Sequence, residues 1–274
     1  MGISGVRLKF KARNIFFVFF SLLFFLSSNS IFGRGPKISI ITSLYKGEQF
    51  IEGFMKDIVR QTVFDQCELI IINANSPENE EPYIQPYLEK YPNIFYFRLA
   101  EDPGLYGVWN LGIKMAQGQY ITNANVDDRL HPACYEIHSK ALDDNPQIDL
   151  VYSDFFWTDK PNELYEHHSA RVYSGTKPFS RKAMVRNLPG PNPMWRKSVH
   201  TKHGFFDETF RIVGDWEMWC RSAKGGSVFL KVEKILSLFY KNPNGLSTSQ
   251  ELWPKAERER RRVIERHKSL WRDS

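Results

Sequence analysis

Two adjacent carboxylates, Asp127 and Asp128, follow a short apolar stretch and are the first residues in the sequence that suggest chemistry. Like charges side by side repel each other, and burial of either one is costly without a positive partner. Mg²⁺ or Mn²⁺ is such a partner, because it binds one or two carboxylates and takes phosphate oxygens and water as its other ligands. The alternative is a capped turn, in which Asp128 accepts backbone hydrogen bonds ahead of Pro132. Taken alone, the pair favours the turn, because short acidic motifs often match by chance.

The elements that must position this pair alternate along the first half of the chain. The predicted strands are 37–43, 67–74, 94–99 and 119–124, and the predicted helices are 49–61, 81–91 and 105–116, the last with Gly118 as its C-cap. This alternation predicts an α/β fold with a mostly parallel central sheet and helices on both faces. Ligands of such sheets bind at the carboxyl ends of the strands. Thr42, Asn73 and Asn125 stand at those ends, together with the acidic pair.

The second half of the chain is less regular. Its predicted helices are 132–142 and 214–226, its predicted strands are 148–157 and 229–240, and a basic helix begins at Pro254. Residues 158–190 are rich in Lys, His and Ser, and their pattern predicts no element.

Residues 1–30 combine a basic segment with a short apolar run. Four basic residues between positions 7 and 13 precede the run at 15–26, which is shorter than the ~20 residues that span a bilayer. The pattern is typical of a signal peptide, and an uncleaved N-terminal anchor is the alternative. We therefore expect an exported or membrane-anchored protein, with association at the cytoplasmic face of a membrane as a further option.

The charge distribution argues against a nucleic-acid partner. The chain has 274 residues and a net charge of +6, and residues 255–274 hold eight Lys or Arg against four Asp or Glu. The basic charge is therefore concentrated in a C-terminal helix, at 251–274, rather than spread over a binding face. That helix is either a solvated face or a contact with an anionic membrane surface. The three cysteines are widely spaced and match no zinc motif, so we expect free, mostly buried thiols.

Four stretches in order resemble family 2 glycosyltransferases of the GT-A fold, from about Pro36 to Ser249. They are PKISIITSLYKGEQFIEGFMKDIVRQT, ELIIINANSPEN, DPGLYGVWNLGIKMAQGQYITNANVDDRLHP and GFFDETFRIVGDWEMWCR. The resemblance implies a GT-A domain at 36–250 whose less regular C-terminal half binds the acceptor. It also implies transfer of a sugar, of hexosyl type, from a nucleotide-diphosphate-sugar to an acceptor hydroxyl, usually with inversion. The acceptor is a glycan, a lipid or a protein, which the resemblance does not specify.

The resemblance also implies roles for individual residues. Thr42 and Tyr45 would border the nucleotide, and Asn73 would stand where an acidic residue commonly contacts the base. Asn125 and Asp128 would belong to the nucleotide-sugar site, with Asp127 between them as the ligand of a divalent metal, Mn²⁺ or Mg²⁺.

The catalytic base implied by the resemblance is Asp215. A positioned carboxylate there would accept the proton of the acceptor hydroxyl as attack proceeds. The alternative for Asp215 is a helix cap, since carboxylates are favoured at helix starts regardless of function.

The departures from the family pattern leave a second function open. Asn73 and Asn125 are amides where relatives usually have carboxylates, and residues 236–249 contain no His where many relatives have one near the metal. An amide accepts a hydrogen bond but carries no charge, so metal binding should weaken. The alternatives to the transferase are a sugar- or nucleotide-binding module on the same fold and a membrane-tethered structural protein.

Overall fold

The computed structural model describes residues 35–272, so the predicted signal peptide or anchor at 1–30 lies outside the described residues. The strands are β1 Ile38–Leu44, β2 Cys67–Asn73, β3 Ile94–Arg98, β4 Tyr120–Asn123, β5 Arg129–Leu130, β6 Leu150–Thr158, β7 Val172–Tyr173, β8 Met194–Arg196 and β9 Phe229–Tyr240. The helices are α1 Glu48–Val59, α2 Glu81–Lys90, α3 Leu105–Met115, α4 Cys134–Asp144, α5 Ser198–His203, α6 Gly214–Lys224, α7 Trp253–Arg266 and α8 Lys268–Arg272.

One sheet contains the nine described strands, in the order β3-β2-β1-β4-β8-β6-β9-β5, with β7 paired to β6. The pairs β1–β2, β1–β4, β2–β3 and β6–β9 are parallel. The short strand β8 is antiparallel to both β4 and β6. The six long strands therefore run in one direction, which confirms the mostly parallel sheet, and their carboxyl ends meet at one edge.

Helices cover both faces of the sheet because the central strands are apolar on both sides. In β2, Leu69 and Ile71 belong to the core cluster that includes Phe54 of α1. Ile70 and Ile72 point the other way and belong to the cluster that includes Val108 of α3 and Trp219 of α6. Side chains alternate between the faces of a strand, so a strand buried on both sides reads as a continuous apolar run.

The predicted elements of the first half are confirmed to within two residues at each end, but the prediction for Gly118 is wrong. The helix ends at Met115 with Ala116 as its C-cap, and Gly118 is not in the left-handed region. Its N–H instead donates to the Ser39 hydroxyl at 2.8 Å and to the buried Glu68 carboxylate at 3.3 Å. Gly118 is needed for close packing, since a Cβ there would lie 2.6 Å from the Ser39 nitrogen.

Two further expectations concern cysteines and membranes. Cys67, Cys134 and Cys220 are free and buried, as predicted. Between residues 35 and 272, no helix is long and apolar enough to cross a membrane.

We expect Gly118→Ala to lower the free energy of unfolding by about 1–3 kcal/mol, because a backbone shift is needed to admit the methyl group. Thermal unfolding should report a decrease in Tm of several degrees. Gln85→Ala, at an exposed position of α2, is the control and should change Tm little. An unchanged Tm for Gly118→Ala would contradict the packing role.

Candidate active site

The loop after β4 holds the acidic pair, and its two carboxylates have different environments. Asp128 is 3% exposed. Its Oδ2 accepts a hydrogen bond from the Asn125 amide at 2.9 Å, and its Oδ1 accepts one from the backbone N–H of Tyr240 at 3.1 Å. Oδ1 of Asp128 therefore ties the loop to the end of β9, and Oδ2 closes the loop on itself through Asn125. The nucleotide-sugar contact expected for Asp128 stays a prediction.

Asp127 is half-buried and is the acidic residue of this loop better placed for a ligand. Its Oδ2 accepts a hydrogen bond from the Asn242 amide at 3.0 Å. Asn242 lies in the segment where the family resemblance would place a histidine, so an amide side chain stands against the predicted metal ligand. No pattern in the sequence predicts this contact.

The pKa values of both carboxyls are raised. Burial and then the charge of Asp127 raise the pKa of Asp128 well above its usual value. Burial also raises the pKa of Asp127, and the hydrogen bond from Asn242 and the charge of Arg129 oppose this rise. The pair therefore holds protons more strongly than two exposed carboxyls would, and a cation bound here must displace them.

A buried arginine beside the pair supplies the positive charge that two adjacent carboxylates require. Arg129 is 1% exposed, and its guanidinium donates to the backbone oxygens of Val126 at 3.0 Å and Asp128 at 2.6 Å. It also donates to the Asn162 side chain at 2.7 Å, which ties the polar stretch 158–190 to this loop. Only its adjacency to the pair signals this role in the sequence.

The predicted nucleotide residues lie at the ends of β1 and β2. Thr42 is fully buried, and its hydroxyl has no hydrogen-bond partner among the described residues. Tyr45 is 46% exposed, with the Lys46 ammonium 5.6 Å from its ring centroid. This edge of the sheet therefore has the exposed ring of Tyr45 and, in the preceding strand, the buried hydroxyl of Thr42. Their contacts with a nucleotide stay predictions.

Asn73 is fully buried and holds the turn that follows β2. Its Oδ1 accepts a hydrogen bond from the Ser76 N–H at 2.8 Å, and its amide group lies 3.1 Å from the Tyr96 hydroxyl and 3.4 Å from the Glu80 carboxylate. Glu80 in turn accepts hydrogen bonds from the Ser76 hydroxyl at 2.5 Å and the Gly47 N–H at 3.1 Å. The expected base contact of Asn73 stays a prediction.

The two asparagines that depart from the family pattern each lie beside a buried carboxylate. Asn73 faces the buried carboxylate of Glu80, and Asn125 faces that of Asp128. An amide can donate a hydrogen bond to a carboxylate, whereas a second carboxylate would repel it. The amides therefore fit the carboxylates that this chain buries beside them.

Asp215 occupies the first turn of α6 and is not the helix cap. The N-cap residue is Val213, which offers no side-chain acceptor. The Asn187 amide donates to Asp215 Oδ2 at 2.6 Å, and the Tyr106 hydroxyl lies 3.2 Å from Oδ1. Burial raises the pKa of Asp215, although hydrogen bonds from the Trp216 backbone, Asn187 and Tyr106 oppose the rise.

The helix that carries Asp215 is fixed by two tryptophans. Trp216 and Trp219 are 6% and 1% exposed. The Trp216 indole N–H donates to the backbone oxygen of Met184 at 2.8 Å. Trp219 packs against Trp195, with 5.1 Å between their ring centroids. The first turn of α6 is therefore held against the core.

The stretch 187–193 connects Asp215 to the acidic loop. It begins at Asn187, which donates to Asp215, and the backbone oxygen of Pro191 accepts a hydrogen bond from Asn123 of β4 at 2.9 Å. Pro191 is the fourth residue after Asn187, so their Cα atoms are at most about 14 Å apart. This short connection ties the residue that holds Asp215 to the end of β4, two residues before Asn125.

A small cavity beside this connection contains a polar side chain with unmet hydrogen bonds. Its lining includes Asn125, Asp128 and Asn192. Asn192 is 5% exposed, and neither of its amide atoms has a hydrogen-bond partner within residues 35–272. Buried amides are normally paired, so the unpaired amide of Asn192 is an exception beside the acidic loop.

Comparison with known proteins places this geometry in a family. The profile described as Glycosyl transferase family 2 matches residues 39–204, which is more than half of the chain. The uncharacterized glycosyltransferase MJ1057 of Methanocaldococcus jannaschii is 24% identical over 210 residues, covering 76% of this chain and 72% of that protein. The minor teichoic acid biosynthesis protein GgaB of Bacillus subtilis is 28% identical over 141 residues, covering 51% of this chain but only 15% of GgaB.

Solved structures with low sequence identity share the fold. S. aureus TarS 1-349 in complex with UDP-GlcNAc superimposes with a TM-score of 0.68 at 14% identity, covering 83% of this chain and 65% of that one. The mannosyltransferase PcManGT of Pyrobaculum calidifontis, in complex with GDP-Man and Mn²⁺, gives a TM-score of 0.60 at 14% identity, covering 88% and 68%. The fold is therefore that of GT-A glycosyltransferases, and the profile match shows that the chain belongs to glycosyl transferase family 2.

Proposed function

We propose that the protein transfers a sugar from a nucleotide-diphosphate-sugar to an acceptor hydroxyl, with inversion, using Asp215 as the general base and a divalent cation held by Asp127. One observation carries this proposal. Asp127, held by the Asn242 amide, follows β4 at the edge where the parallel strands end, and Asp215, held by the Asn187 amide, is tied to β4 through the short stretch 187–193. A transferase of this type needs one carboxylate to hold a cation at the diphosphate and another to accept the proton of the acceptor hydroxyl. Asp127 and Asp215 are the two candidates.

The donor class is supported by proteins of similar fold. TarS was solved with UDP-GlcNAc and PcManGT with GDP-Man, so a nucleotide-sugar suits this architecture. The sugar, the nucleotide and the acceptor are left open. We propose that Tyr45 borders the nucleotide, because it is exposed at the end of β1, beside the turn that Asn73 and Glu80 hold.

The residues of the acidic loop fit Mn²⁺ or Mg²⁺. No group of three His, Cys, Asp or Glu side chains within the described chain could hold a metal ion by itself. One carboxylate plus phosphate oxygens and water is nevertheless a common shell for these ions. Asp127 provides the carboxylate. Beside the loop, the amide of Asn192 has no hydrogen-bond partner among the described residues. When bound, the cation would offset charge on the diphosphate leaving group.

The proton in the reaction goes to Asp215. As the acceptor oxygen forms its bond to the anomeric carbon, the bond from that carbon to the diphosphate oxygen breaks. The acceptor hydroxyl loses its proton to the Asp215 carboxylate. The Asn187 amide donates to this carboxylate at 2.6 Å and the Tyr106 hydroxyl lies 3.2 Å from it, so both neighbours keep it in place.

A binding module on the same fold is the second candidate. The observation that favours it is that the amides of Asn73 and Asn125 are engaged inside the protein. Asp215 argues for the enzyme, because its carboxylate is also held by the Asn187 amide, from outside its own helix. Export or membrane anchoring also remains a proposal, which rests on the sequence of residues 1–30.

The first prediction concerns the metal. Asp127→Asn should remove most of the rise in Tm that Mn²⁺ and UDP or GDP together produce, because an amide lacks the charge that binds the cation. The wild-type rise should also become smaller as the pH is lowered, since the raised pKa values of Asp127 and Asp128 mean that protons compete with the cation. Asp144→Asn, at an exposed position, is the control. A wild-type metal response in Asp127→Asn would refute the assignment.

The second prediction concerns Asn125. Asn125→Asp would replace a hydrogen-bond donor to Asp128 by a second negative charge. In EDTA we expect the free energy of unfolding to fall by about 1–3 kcal/mol, and the loss should shrink at lower pH because protonation restores a donor. Mn²⁺ should raise the Tm of this variant more than that of the wild type. An equal rise in both proteins would place Asn125 outside the metal site.

The third prediction tests the activity. Asp215→Asn keeps the shape of the side chain and removes the proton acceptor, which typically costs ~10² to 10⁴ in rate. With a panel of UDP- and GDP-sugars and Mn²⁺, transfer should fall by that factor while nucleotide affinity stays within about threefold. Asp159→Asn is the control, because Asp159 is exposed. A wild type that binds a donor but neither transfers nor hydrolyses it would favour the binding module.

A further inference from the structure

One face of α7 contacts the segment 207–213, which leads directly into the helix of Asp215. The residues on this face are Glu259, Arg262, Val263 and Arg266, at the spacing of successive helical turns. The Arg262 guanidinium lies 4.2 Å from the ring centroid of Phe210, and Arg266 donates to the Asp207 carboxylate at 2.8 Å. Val263 is fully buried. This face is therefore packed on the protein through Glu259 and Val263, while Arg262 and Arg266 contact the segment 207–213 and remain exposed to solvent.

Glu259 makes the central contact of this face. Its side chain is 4% exposed. Oε1 accepts a hydrogen bond from the Arg211 N–H at 2.9 Å, and Oε2 accepts hydrogen bonds from the N–H groups of Ile212 at 2.9 Å and Val213 at 3.2 Å. A buried carboxylate is costly unless hydrogen bonds satisfy it. Three consecutive backbone donors satisfy this one and fix three consecutive peptides.

These peptides are connected to Asp215 by more than the chain. The Ile212 N–H donates to Glu259, and the Ile212 carbonyl oxygen lies 2.9 Å from the Tyr106 hydroxyl, which is also 3.2 Å from Asp215. The backbone at Gly214 packs closely against the Tyr106 ring, because a Cβ there would lie 2.7 Å from that ring. The position of the 211–213 backbone therefore determines where Tyr106 and the Asp215 carboxylate meet.

A second contact holds the same helix one turn later. Glu217 of α6 is 1% exposed and lies 3.2 Å from the His267 imidazole. Burial would raise the pKa of Glu217, but hydrogen bonds from His267, Arg221 and Arg266 lower it to about 2. This contact holds the end of α7 against α6. The helix that carries Glu259 is therefore fixed relative to the helix that carries Asp215.

We propose that Glu259 is a positioning residue for the general base: its carboxylate holds the backbone of residues 211–213 and thereby fixes the Asp215 carboxylate toward the acceptor hydroxyl. The inference rests on the proposed function. It extends the catalytic unit well past residue 204, where the family profile match ends. It also gives the C-terminal helix a role inside the enzyme that does not require a membrane.

The test compares Glu259→Gln with the wild type in the full chain. The amide replaces one acceptor oxygen by an NH₂ group, which would face backbone donors. We expect kcat to fall about 10- to 100-fold, because small displacements of a catalytic group cost this much. The donor KM should stay within about threefold, since Glu259 contacts neither β4 nor the Asp127 loop in the described structure. Amide hydrogen exchange of residues 209–216 should be faster. Glu259→Asp keeps the charge and should restore part of kcat; it also decides the question if the Gln variant does not fold.

Two control variants separate positioning from general stability. Glu257→Gln makes the same chemical change at an exposed position of the same helix and should leave kcat and exchange unchanged. Val263→Ala loosens the packing of the helix but keeps the Glu259 carboxylate, so it should lower Tm with kcat close to that of the wild type. Wild-type kcat in Glu259→Gln, while Asp215→Asn has lost activity, would overturn this inference alone. Loss of kcat in Val263→Ala equal to that in Glu259→Gln would also overturn it. A wild type without transfer or hydrolysis would instead overturn the proposed function.

Discussion

The burial of the Asp128 carboxylate is the constraint on which the rest of the site depends. A carboxylate that is 3% exposed must have its oxygens satisfied. Its donors are the Asn125 amide and the backbone of Tyr240 at the end of β9. This requirement holds the loop after β4 against a strand more than 100 residues later in the chain. Asp127 is thereby kept at the shared edge of the sheet, half-buried and next to Asn242.

The two asparagines that depart from the family pattern follow from the same electrostatic rule. Each faces a buried carboxylate, Glu80 in one case and Asp128 in the other. A second carboxylate at either position would add repulsion in a region with little solvent to screen it. The negative charge of the site is therefore retained at neighbouring positions. An asparagine at 125 does not by itself indicate an inactive protein.

The two halves of the chain meet through contacts that are distant in sequence. Asn187 contacts Asp215, Pro191 contacts β4, and Asn162 contacts the buried Arg129. The stretch 158–190, which has little regular structure, is thus attached to the site at both of its ends. The C-terminal helix adds Glu259 to the support of Asp215. Contact of the exposed arginines of α7 with a membrane stays a proposal. It is compatible with the packing of the Glu259 face of this helix on the protein.

The sequence by itself determined the type of fold and the strands and helices of the first half, because these depend on local periodicity, and its family resemblance made Asp127 and Asp215 the candidates for metal ligand and base. It could not show that Asp128 is buried and internally satisfied, that Gly118 is needed for packing against Ser39, or that Arg129 and Asn242 contact the acidic loop. Glu259 stands in a run of charged residues whose pattern predicts a solvated helix face. Only the tertiary structure decided these points, because burial and hydrogen-bond partners depend on which distant segments the fold brings together.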